Sequence, residues 1–442
     1  MASNPIADIF RIRDLRERVL FTLAMLAIFR AGAVIPIPGI NVTALQAFFD
    51  QQGGGGVSLV DYLDFFAGGA FSNYSIFMLG IVPYISMSII MQLLLLVFPA
   101  LKKISEEEGG RKRIQRYTRY GTVMVALIQS LAASQFAASI PNALNVSRGF
   151  YTFLAMLTVT TGTVFLMWIG EQINQRGIGN GISLLIFAGI VARLPQAFWI
   201  LVTEIQDGTS GLNPVFLLVV LAMFVAVVAL VIYEQRGQRK IPVQYARRVV
   251  GRREYAGQNT YVPFKINPSG VIPVIFASSV LTFPLQIAQS LGPNVRWLNN
   301  LAVFLRPDRW PYLVIYAVMI VFFAYFYTQV TLNPVEMSKQ IRENGGSIPG
   351  IRSEKMEAYF SRVLNRIILP GALFLAFIAV IPTVIQGLFN IPQEVAFLMG
   401  GTSLLIMVGV DLDLMSQIEG HLRMHHHSGL TKRGKIKSRR SL

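Results

Sequence analysis

Residues 75–98 read SIFMLGIVPYISMSIIMQLLLLVF, and after one proline residues 100–119 read ALKKISEEEGGRKRIQRYTR. The first stretch has no charged side chain and exceeds the roughly 20 residues that a helix needs to cross the hydrocarbon core of a bilayer. The second stretch holds seven lysines and arginines, and basic loops mark the cytoplasmic side of a membrane. Together they predict a membrane-spanning helix that ends in the cytoplasm.

The same alternation of apolar runs and basic loops continues along the chain. All but six of the 39 lysines and arginines lie at the N-terminus, in the tail or in every second gap between apolar runs. This pattern predicts ten spans with both termini in the cytoplasm. Five spans in each half would insert with opposite topology, as inverted repeats do. The predicted spans are residues 19–34, 75–98, 120–140, 150–169, 182–202, 214–233, 270–291, 312–330, 367–385 and 395–410.

Composition supports the same fold class. Hydrophobic residues make up 53% of the chain and charged residues 14%, against about 25% charged in an ordinary soluble domain. We therefore predict an all-α integral membrane protein, and we interpret the net charge of +16 as basic cytoplasmic loops plus a docking surface. The arginines before the first apolar run are typical of a signal peptide, but the topology needs that run as its first span.

The predicted organisation has four parts. Residues 1–18 form a cytoplasmic amphipathic helix, and residues 19–203 contain the first five spans. Residues 204–413 contain the last five, and residues 414–442 form a basic cytoplasmic tail.

Two large cytoplasmic loops interrupt the second half. In residues 234–267, apolar side chains alternate around Ile241 and again around Val262, which predicts a basic β-hairpin with its turn at residues 251–252. In residues 333–366, Asn333 is expected to cap one helix, residues 349–352 to form a tip and Ser353 to cap a second helix.

One amphipathic stretch, residues 58–71, is too short to span. It follows four glycines and contains Asp61 and Asp64, which are costly in lipid. Backbone that does not span is tolerated at membrane depth only inside protein or a water-filled cavity. An extracytoplasmic surface helix and a re-entrant helix in a cavity both stay open. We expect the glycines that flank the helix, residues 53–56 and the pair Gly68 and Gly69, to act as loose linkers.

The sequence carries no motif for catalysis or nucleotide binding. Because the chain has no cysteine, thiolate metal sites and a cysteine nucleophile are excluded. A histidine triplet at residues 425–427 lies in the tail, where a solvated segment is the simpler interpretation. We therefore predict no catalytic residue, no metal site, no cofactor and no enzymatic activity. Acidic residues within the spans are scarce, which argues against proton coupling.

Two kinds of side chain recur within the spans. Isoleucines repeat at helical spacing in spans two, five and seven, which is typical of packing or lipid contact and also suits a pore constriction. Polar residues in spans two, three and seven predict interhelical hydrogen bonds, worth about 0.6 kcal/mol each. Bonds that weak could also close a seam that must open. The polar residues are Ser86, Ser88, Gln92, Gln129, Ser278, Ser279 and Thr282.

Several longer motifs resemble the SecY family, the channel-forming subunits of the bacterial protein translocase. The resemblance follows the order of the chain over nearly its whole length. The motifs are LGIVPYIS at residues 79–86, GIGNGIS at 177–183, IFAGIV at 186–191, GVIP at 270–273, FASS at 276–279, PGIR at 349–352 and GGTS at 400–403.

The resemblance implies an hourglass pore between two inverted halves, with a ring, a plug and a lateral gate. It implies a pore ring of Ile81, Ile85, Ile186, Ile190, Ile275 and Ile406. It makes the short helix a re-entrant plug that includes Leu59, Val60, Tyr62, Leu63, Phe65 and Phe66. It implies a lateral gate lined by Ser86, Ser88, Gln92, Gln129, Ser279, Thr282 and Phe283.

The resemblance also implies partners and a location. Arg252, Arg253 and Arg352 in the two loops would contact the SecA motor or the ribosome, including ribosomal RNA. SecE would clamp the two halves, and SecG would lie at the periphery. Secretory and membrane precursors would pass through the pore or leave into the lipid. The expected location is the bacterial inner membrane.

A secondary transporter and an intramembrane enzyme are the two alternatives to a protein-conducting channel. A secondary transporter of small solutes also has ten spans with inverted repeats, but it needs a substrate site at the midplane, and the spans carry no cluster of charges suited to one. An intramembrane enzyme needs a paired nucleophile and base or metal ligands within the spans. His421 and the histidine triplet lie outside the predicted spans.

Overall fold

A computed structural model describes residues 12–52, 67–207, 214–245, 248–250, 253–255, 259–291, 300, 303–305, 309–389 and 401–433. The fold is helical. The first helices are α1 Arg13–Gly32, α2 Val42–Gln52, α3 Val82–Val97, α4 Pro99–Glu106, α5 Gly110–Ser139, α6 Arg148–Arg176 and α7 Gly181–Asp207. The later helices are α8 Pro214–Arg236, α9 Ile272–Leu291, α10 Trp310–Thr331, α11 Pro334–Glu343, α12 Met356–Phe389 and α13 Gly401–Arg433.

The chain divides into two compact units. The first unit comprises Met1–Arg193 and Val410–Leu442, and the second comprises Leu194–Gly409.

Among the described residues, six helices are long and apolar enough to cross a membrane, or seven if α3 and α4 form one span bent by 102°. The six segments lie in α5, α6, α7, α10–α11, α12 and α13. The remaining predicted spans fall on α1, α8 and α9. The structure therefore describes a multi-span helical protein, and the count of ten stays a prediction.

Span two differs from its prediction at its start. Ser75 makes an isolated β-bridge, residues 76–81 form turns, and the helix begins at Val82 with Pro83 in its first turn. Proline suits that position because the first backbone N–H groups of a helix have no intrahelical partner. The hydrophobicity of the run is uniform across this boundary, which is why periodicity did not reveal it.

The described part of the N-terminal helix also differs from its prediction. Residues 13–18 are continuous with the first predicted span in α1, not a separate surface helix. Leu15 of this stretch is buried. The part of that prediction before residue 12 lies outside the described residues.

Two small antiparallel sheets add β structure to the helical fold. Their strands are β1 Gln238–Tyr245, β2 Arg248–Val250, β3 Arg253–Tyr255, β4 Asn259–Lys265 and β5 Gly346–Ser347. Strand β1 pairs with β4 and β5 in the three-stranded sheet, and β2 pairs with β3 in the two-stranded one. Ile241 lies opposite Val262 in the β1–β4 register. The predicted hairpin is confirmed, while its turn residues 251–252 lie outside the described residues.

The loop after α10 is partly as predicted. The Asn333 side chain accepts a hydrogen bond from the Val335 N–H at 3.1 Å, so it caps α11 as expected. Ser353, expected to cap the next helix, is instead the first residue of a 3₁₀ turn over Ser353–Lys355. Arg352 holds the N-cap position and makes no side-chain capping bond. The extended backbone at Arg352 lets the chain enter the turn without a serine cap.

The close approach of α6 to the non-helical segment at residues 76–81 predicts a large stability effect at Gly162 of α6. A Cβ added there would lie 2.0 Å from the carbonyl oxygen of Ile76, whereas one added at Gly149 of the same helix meets nothing within 4 Å. Overpacking typically costs about 1–3 kcal/mol. We expect Gly162→Ala to lower the melting temperature in detergent and Gly149→Ala to leave it unchanged or higher. Equal melting of the two variants would contradict this packing.

Candidate functional site

The segment after the predicted plug is buried within the first unit although it is not helical. Residues 68–81 form turns except at Ser75, which makes an isolated β-bridge with Pro36, and the side chains of Ala70, Tyr74 and Ser75 are fully buried. The Ile76 N–H donates to the Ile35 carbonyl at 2.9 Å, and the Ile37 N–H donates to the Tyr74 carbonyl at 2.8 Å. Irregular backbone at membrane depth is stable only where protein supplies such partners.

Aromatic packing holds the same segment. The Phe77 ring stacks on Phe29 of α1 with centroids 6.3 Å apart and on Phe165 of α6 at 6.1 Å. A Cβ on Gly32 would lie 2.0 Å from the Phe77 ring, so α1 approaches this ring without a side chain in between. The segment is thus built into the packing of α1 and α6.

The predicted plug itself is described only at its end. The six plug residues named above lie within residues 53–66, outside the described residues. Residues 68–71 form turns, so the predicted helix does not continue to Phe71. The structure also corrects the expectation of a loose linker, because Gly68 packs tightly. A Cβ there would lie 2.6 Å from the Cα of Gly189 in α7.

The predicted pore isoleucines are all buried. Ile81, which precedes α3, and Ile85 in α3 are each 6% exposed, while Ile186 and Ile190 in α7 are 4% and 0% exposed. These four belong to the first unit. Two more, Ile275 of α9 and Ile406 of α13, are buried residues of the second unit. Because these side chains are so fully buried, they do not contact lipid. The remaining roles for them are packing between helices or a pore constriction.

The predicted gate residues of the first unit are buried or half-buried, and several lack partners. The side-chain oxygens of Ser86, Gln92 and Gln129 are buried without a hydrogen-bond partner in the part of the chain that the structure describes. Ser88 is half-buried. Buried polar groups without a partner cost about 1–3 kcal/mol each. Their presence is therefore not explained by the packing of the first unit alone.

The predicted gate residues of the second unit lie on α9. Ser278 donates to the Ile275 carbonyl at 2.9 Å, and Thr282 donates to the Ser278 carbonyl at 2.7 Å. Both bonds stay within their own helix, so they differ from the interhelical bonds that the sequence predicted. Ser279 is buried, and the Phe283 side chain lies outside the described residues.

The predicted docking tip has an exposed arginine, and the residues on either side of it are buried. Arg352 is exposed, while Ile348 before it is 4% exposed and Met356 after it 0% exposed. Backbone bonds close the tip, with Ile351 N–H donating to Ile348 O at 3.1 Å and Lys355 N–H donating to Arg352 O at 2.9 Å. The apolar cluster beneath joins this loop to the sheet through Ile241, Val243 and Phe264.

The two other predicted docking arginines are Arg252 and Arg253 in the loop 234–267. Arg253 begins β3, and Arg252 lies outside the described residues. Because the side chain of Arg253 is not described either, only its place at the end of the β2–β3 hairpin is known.

Sequence reasoning missed Arg30 of α1. Its Nη1 donates to the Gly68 carbonyl at 2.6 Å. A charge inside an apolar span was the available signal, because such charges are expensive and mark function. The sequence could not name the partner, which is a backbone carbonyl 38 residues away.

The chain is similar to members of the SecY family. The model of the SecY family matches residues 75–415. The protein translocase subunit SecY of Borreliella burgdorferi is 46% identical over 420 residues, covering 94% of both chains. The structure resembles one in which the SecY plug domain stabilises the closed channel and maintains a membrane seal. That likeness has a TM-score of 0.66 and 18% identity, over 96% of this chain and 95% of the other.

A further solved structure with the same fold is Sec61 in the canine ribosome-channel complex from the endoplasmic reticulum. Its TM-score is 0.62 at 18% identity, over 96% of this chain and 95% of that one.

Proposed function

Because the chain belongs to the SecY family, it is a multi-pass membrane channel subunit and not an enzyme, and we propose how it conducts protein. Unfolded secretory polypeptides pass through an hourglass pore between two inverted five-span halves, residues 19–203 and 204–413. Transmembrane segments leave sideways into lipid. The 46% identity to a translocase subunit over 94% of the chain carries this conclusion, and no comparison favours a small-solute transporter.

We propose that the six buried isoleucines form the constriction of this pore. A channel for unfolded chains cannot rely on recognition of particular side chains, so it needs an apolar collar that seals around any sequence. Hydrophobic constrictions also block ions by dewetting. The burial of Ile190 and Ile406, both 0% exposed, supports this role because neither is available to lipid.

The plug proposal places residues 58–71 inside the pore at rest. What supports it is the buried, non-helical course of residues 68–81, which include the C-terminal end of the plug and the segment after it. Ala67 is 3% exposed, so the chain is already buried in the first unit at that residue. This burial favours the re-entrant interpretation over a surface helix.

We propose the lateral gate at the polar residues of spans two, three and seven. Support comes from the buried oxygens of Ser86, Gln92 and Gln129, which have no partner in the described part of the chain. A seam that opens cannot be fully satisfied by permanent bonds within one helix bundle. Ser88, Ser279, Thr282 and Phe283 complete the proposed gate.

The partners follow from the family relation. We propose that SecE and SecG complete the complex in the bacterial inner membrane, with the N-terminal residues 1–18 and the tail 414–442 in the cytoplasm. The SecA motor or the ribosome docks on the loops 234–267 and 333–366 through Arg252, Arg253 and Arg352. Phosphates of ribosomal RNA are a suitable partner for these guanidinium groups.

Crosslinking of a stalled secretory precursor tests the conducting path. A photoreactive side chain at Ile85 or Ile190 is expected to capture the precursor, because both positions are buried in the proposed constriction. The matched control is Ile90, which lies on the same helix as Ile85 and is 43% exposed. Capture at Ile90 equal to that at Ile85, or no capture at Ile85 and Ile190, would contradict the proposed path.

A further inference from the structure

The bond between Arg30 and Gly68 stands out in the first unit. Arg30 lies in the last turn of α1, and its Nη1 donates to the Gly68 carbonyl at 2.6 Å. A guanidinium in an apolar helix is unfavourable unless it finds an acceptor, and hydrogen bonds from charged donors are the stronger ones. The bond therefore fixes the position of one particular carbonyl.

Gly68 is also held from its other side by α7. Its φ is +66°, a conformation that favours glycine. A Cβ at Gly68 would lie 2.6 Å from the Cα of Gly189, so the two backbones are in direct contact. The Gly68 carbonyl is thus hydrogen-bonded to α1, while the Gly68 Cα packs against α7.

A second arginine borders the neighbouring glycine. A Cβ on Gly69 would lie 3.8 Å from Nη2 of Arg193 in α7. The glycine pair therefore lies against guanidinium groups of both α1 and α7. Beyond it, Ala70 is 0% and Phe71 6% exposed, so the chain stays inside the unit.

We propose that Arg30 is a positioning residue that seats Gly68 on α7 and makes the glycine pair a fixed pivot. The proposal rests on the proposed function only in treating residues 58–71 as the plug, so that the glycine pair lies at its C-terminal end. A fixed pivot keeps residues 68–81 in place between α1, α6 and α7. Loss of Arg30 releases this segment without unfolding the unit.

The test uses thiol protection, because the chain has no cysteine and one introduced thiol is unique. Ala70→Cys places a probe in the held segment, and Ala155→Cys places one at an equally protected site of α6, with 0% and 2% exposure respectively. In the detergent-solubilised full-length channel, Arg30→Gln is expected to raise the rate of maleimide labelling at position 70 about tenfold or more. This corresponds to the loss of one charge-assisted hydrogen bond. Labelling at position 155 is expected to stay unchanged.

A matched arginine controls for the loss of a bond as such. Arg148 donates to Gln135 at 2.7 Å in the same unit, away from the segment. Arg148→Gln is expected to leave both labelling rates unchanged. Unchanged labelling at position 70 in Arg30→Gln would overturn the proposal, and so would equal acceleration at positions 70 and 155, which indicates general loosening.

A second variant tests the contact between Gly68 and Gly189. Gly68→Ala is expected to accelerate labelling at position 70, because its Cβ would meet the backbone of Gly189. Gly350→Ala is the control, since Gly350 has a φ of +80° but nothing within 4 Å of the added Cβ. Equal labelling in the two variants would show that the contact with Gly189 does not hold the segment. These readouts need no transport activity, so they stand apart from the crosslinking result that tests the conducting path.

Discussion

Arg352→Glu is expected to reduce motor-driven export about 30-fold or more while the channel remains folded and at normal levels in the membrane. Arg352 is exposed at a tip that rests on buried Ile348 and Met356. A guanidinium at a tip fixed by buried neighbours can bind a carboxylate or phosphate through two parallel hydrogen bonds. Losing one partner of a charge pair in an interface typically costs about 2 kcal/mol or more, and about 1.4 kcal/mol is tenfold in affinity.

The matched control for this prediction is Lys355→Glu. Lys355 is an exposed cation in the 3₁₀ turn that follows Arg352, so the substitution makes the same change in net charge. We expect export to change little there. The measurement is export of a model precursor by membrane vesicles together with motor binding. Normal binding and export by Arg352→Glu, or an equal loss for both variants, would remove the docking role of Arg352.

The second large effect is expected from the isoleucine ring. Replacing Ile85, Ile190 and Ile406 together with serine should raise the ion conductance of the resting channel about tenfold or more in planar bilayers, because a hydrophobic constriction blocks ions by excluding water. Serine removes that barrier, since water wets a polar collar. The substitutions also remove buried volume, and losing most of a buried isoleucine side chain costs about 2–5 kcal/mol per site.

A second triple variant separates the seal from packing. Ile169 and Ile173 in the first unit and Ile378 in the second are each 0% exposed, so their replacement with serine loses a similar buried surface. We expect this control to lower stability without added conductance. Where a triple variant does not reach the membrane, the single changes Ile190→Ser and Ile169→Ser give the same comparison. Equal conductance of Ile190→Ser and Ile169→Ser would mean that the leak reports general destabilisation.

The sequence predicted the helices well where the signal is local. Each of the ten predicted spans overlaps a helix of the described chain, although residues 75–81 of span two are not helical and residues 395–400 of span ten lie outside the described residues. Helices are favoured there because backbone groups in a bilayer must be satisfied within their own segment. The hairpin was equally local, since Ile241 and Val243 alternate with exposed residues and both are buried in β1. The Asn333 cap needs only the next two residues, and it formed as expected.

Predictions that depended on distant partners fared less well. Ser353 was expected to cap a helix, but the packing of Met356 and Ile348 in the core beneath sets the path of that turn. The polar residues Ser278 and Thr282 bond to their own helix, because a hydroxyl can always reach a carbonyl one turn back. Spacing alone does not distinguish that choice from a bond to another helix.

By itself the sequence determined the membrane class, the places of the helices, the hairpin and the family motifs, because hydrophobicity and period are properties of neighbouring residues. Only the tertiary structure decided the course of residues 68–81. Their turns are stabilised by Ile35, by the Phe77 stack and by Arg30, which come from other parts of the chain. A segment without regular hydrogen bonds of its own takes its shape from the groups that surround it, and those groups are known only once the helices have packed.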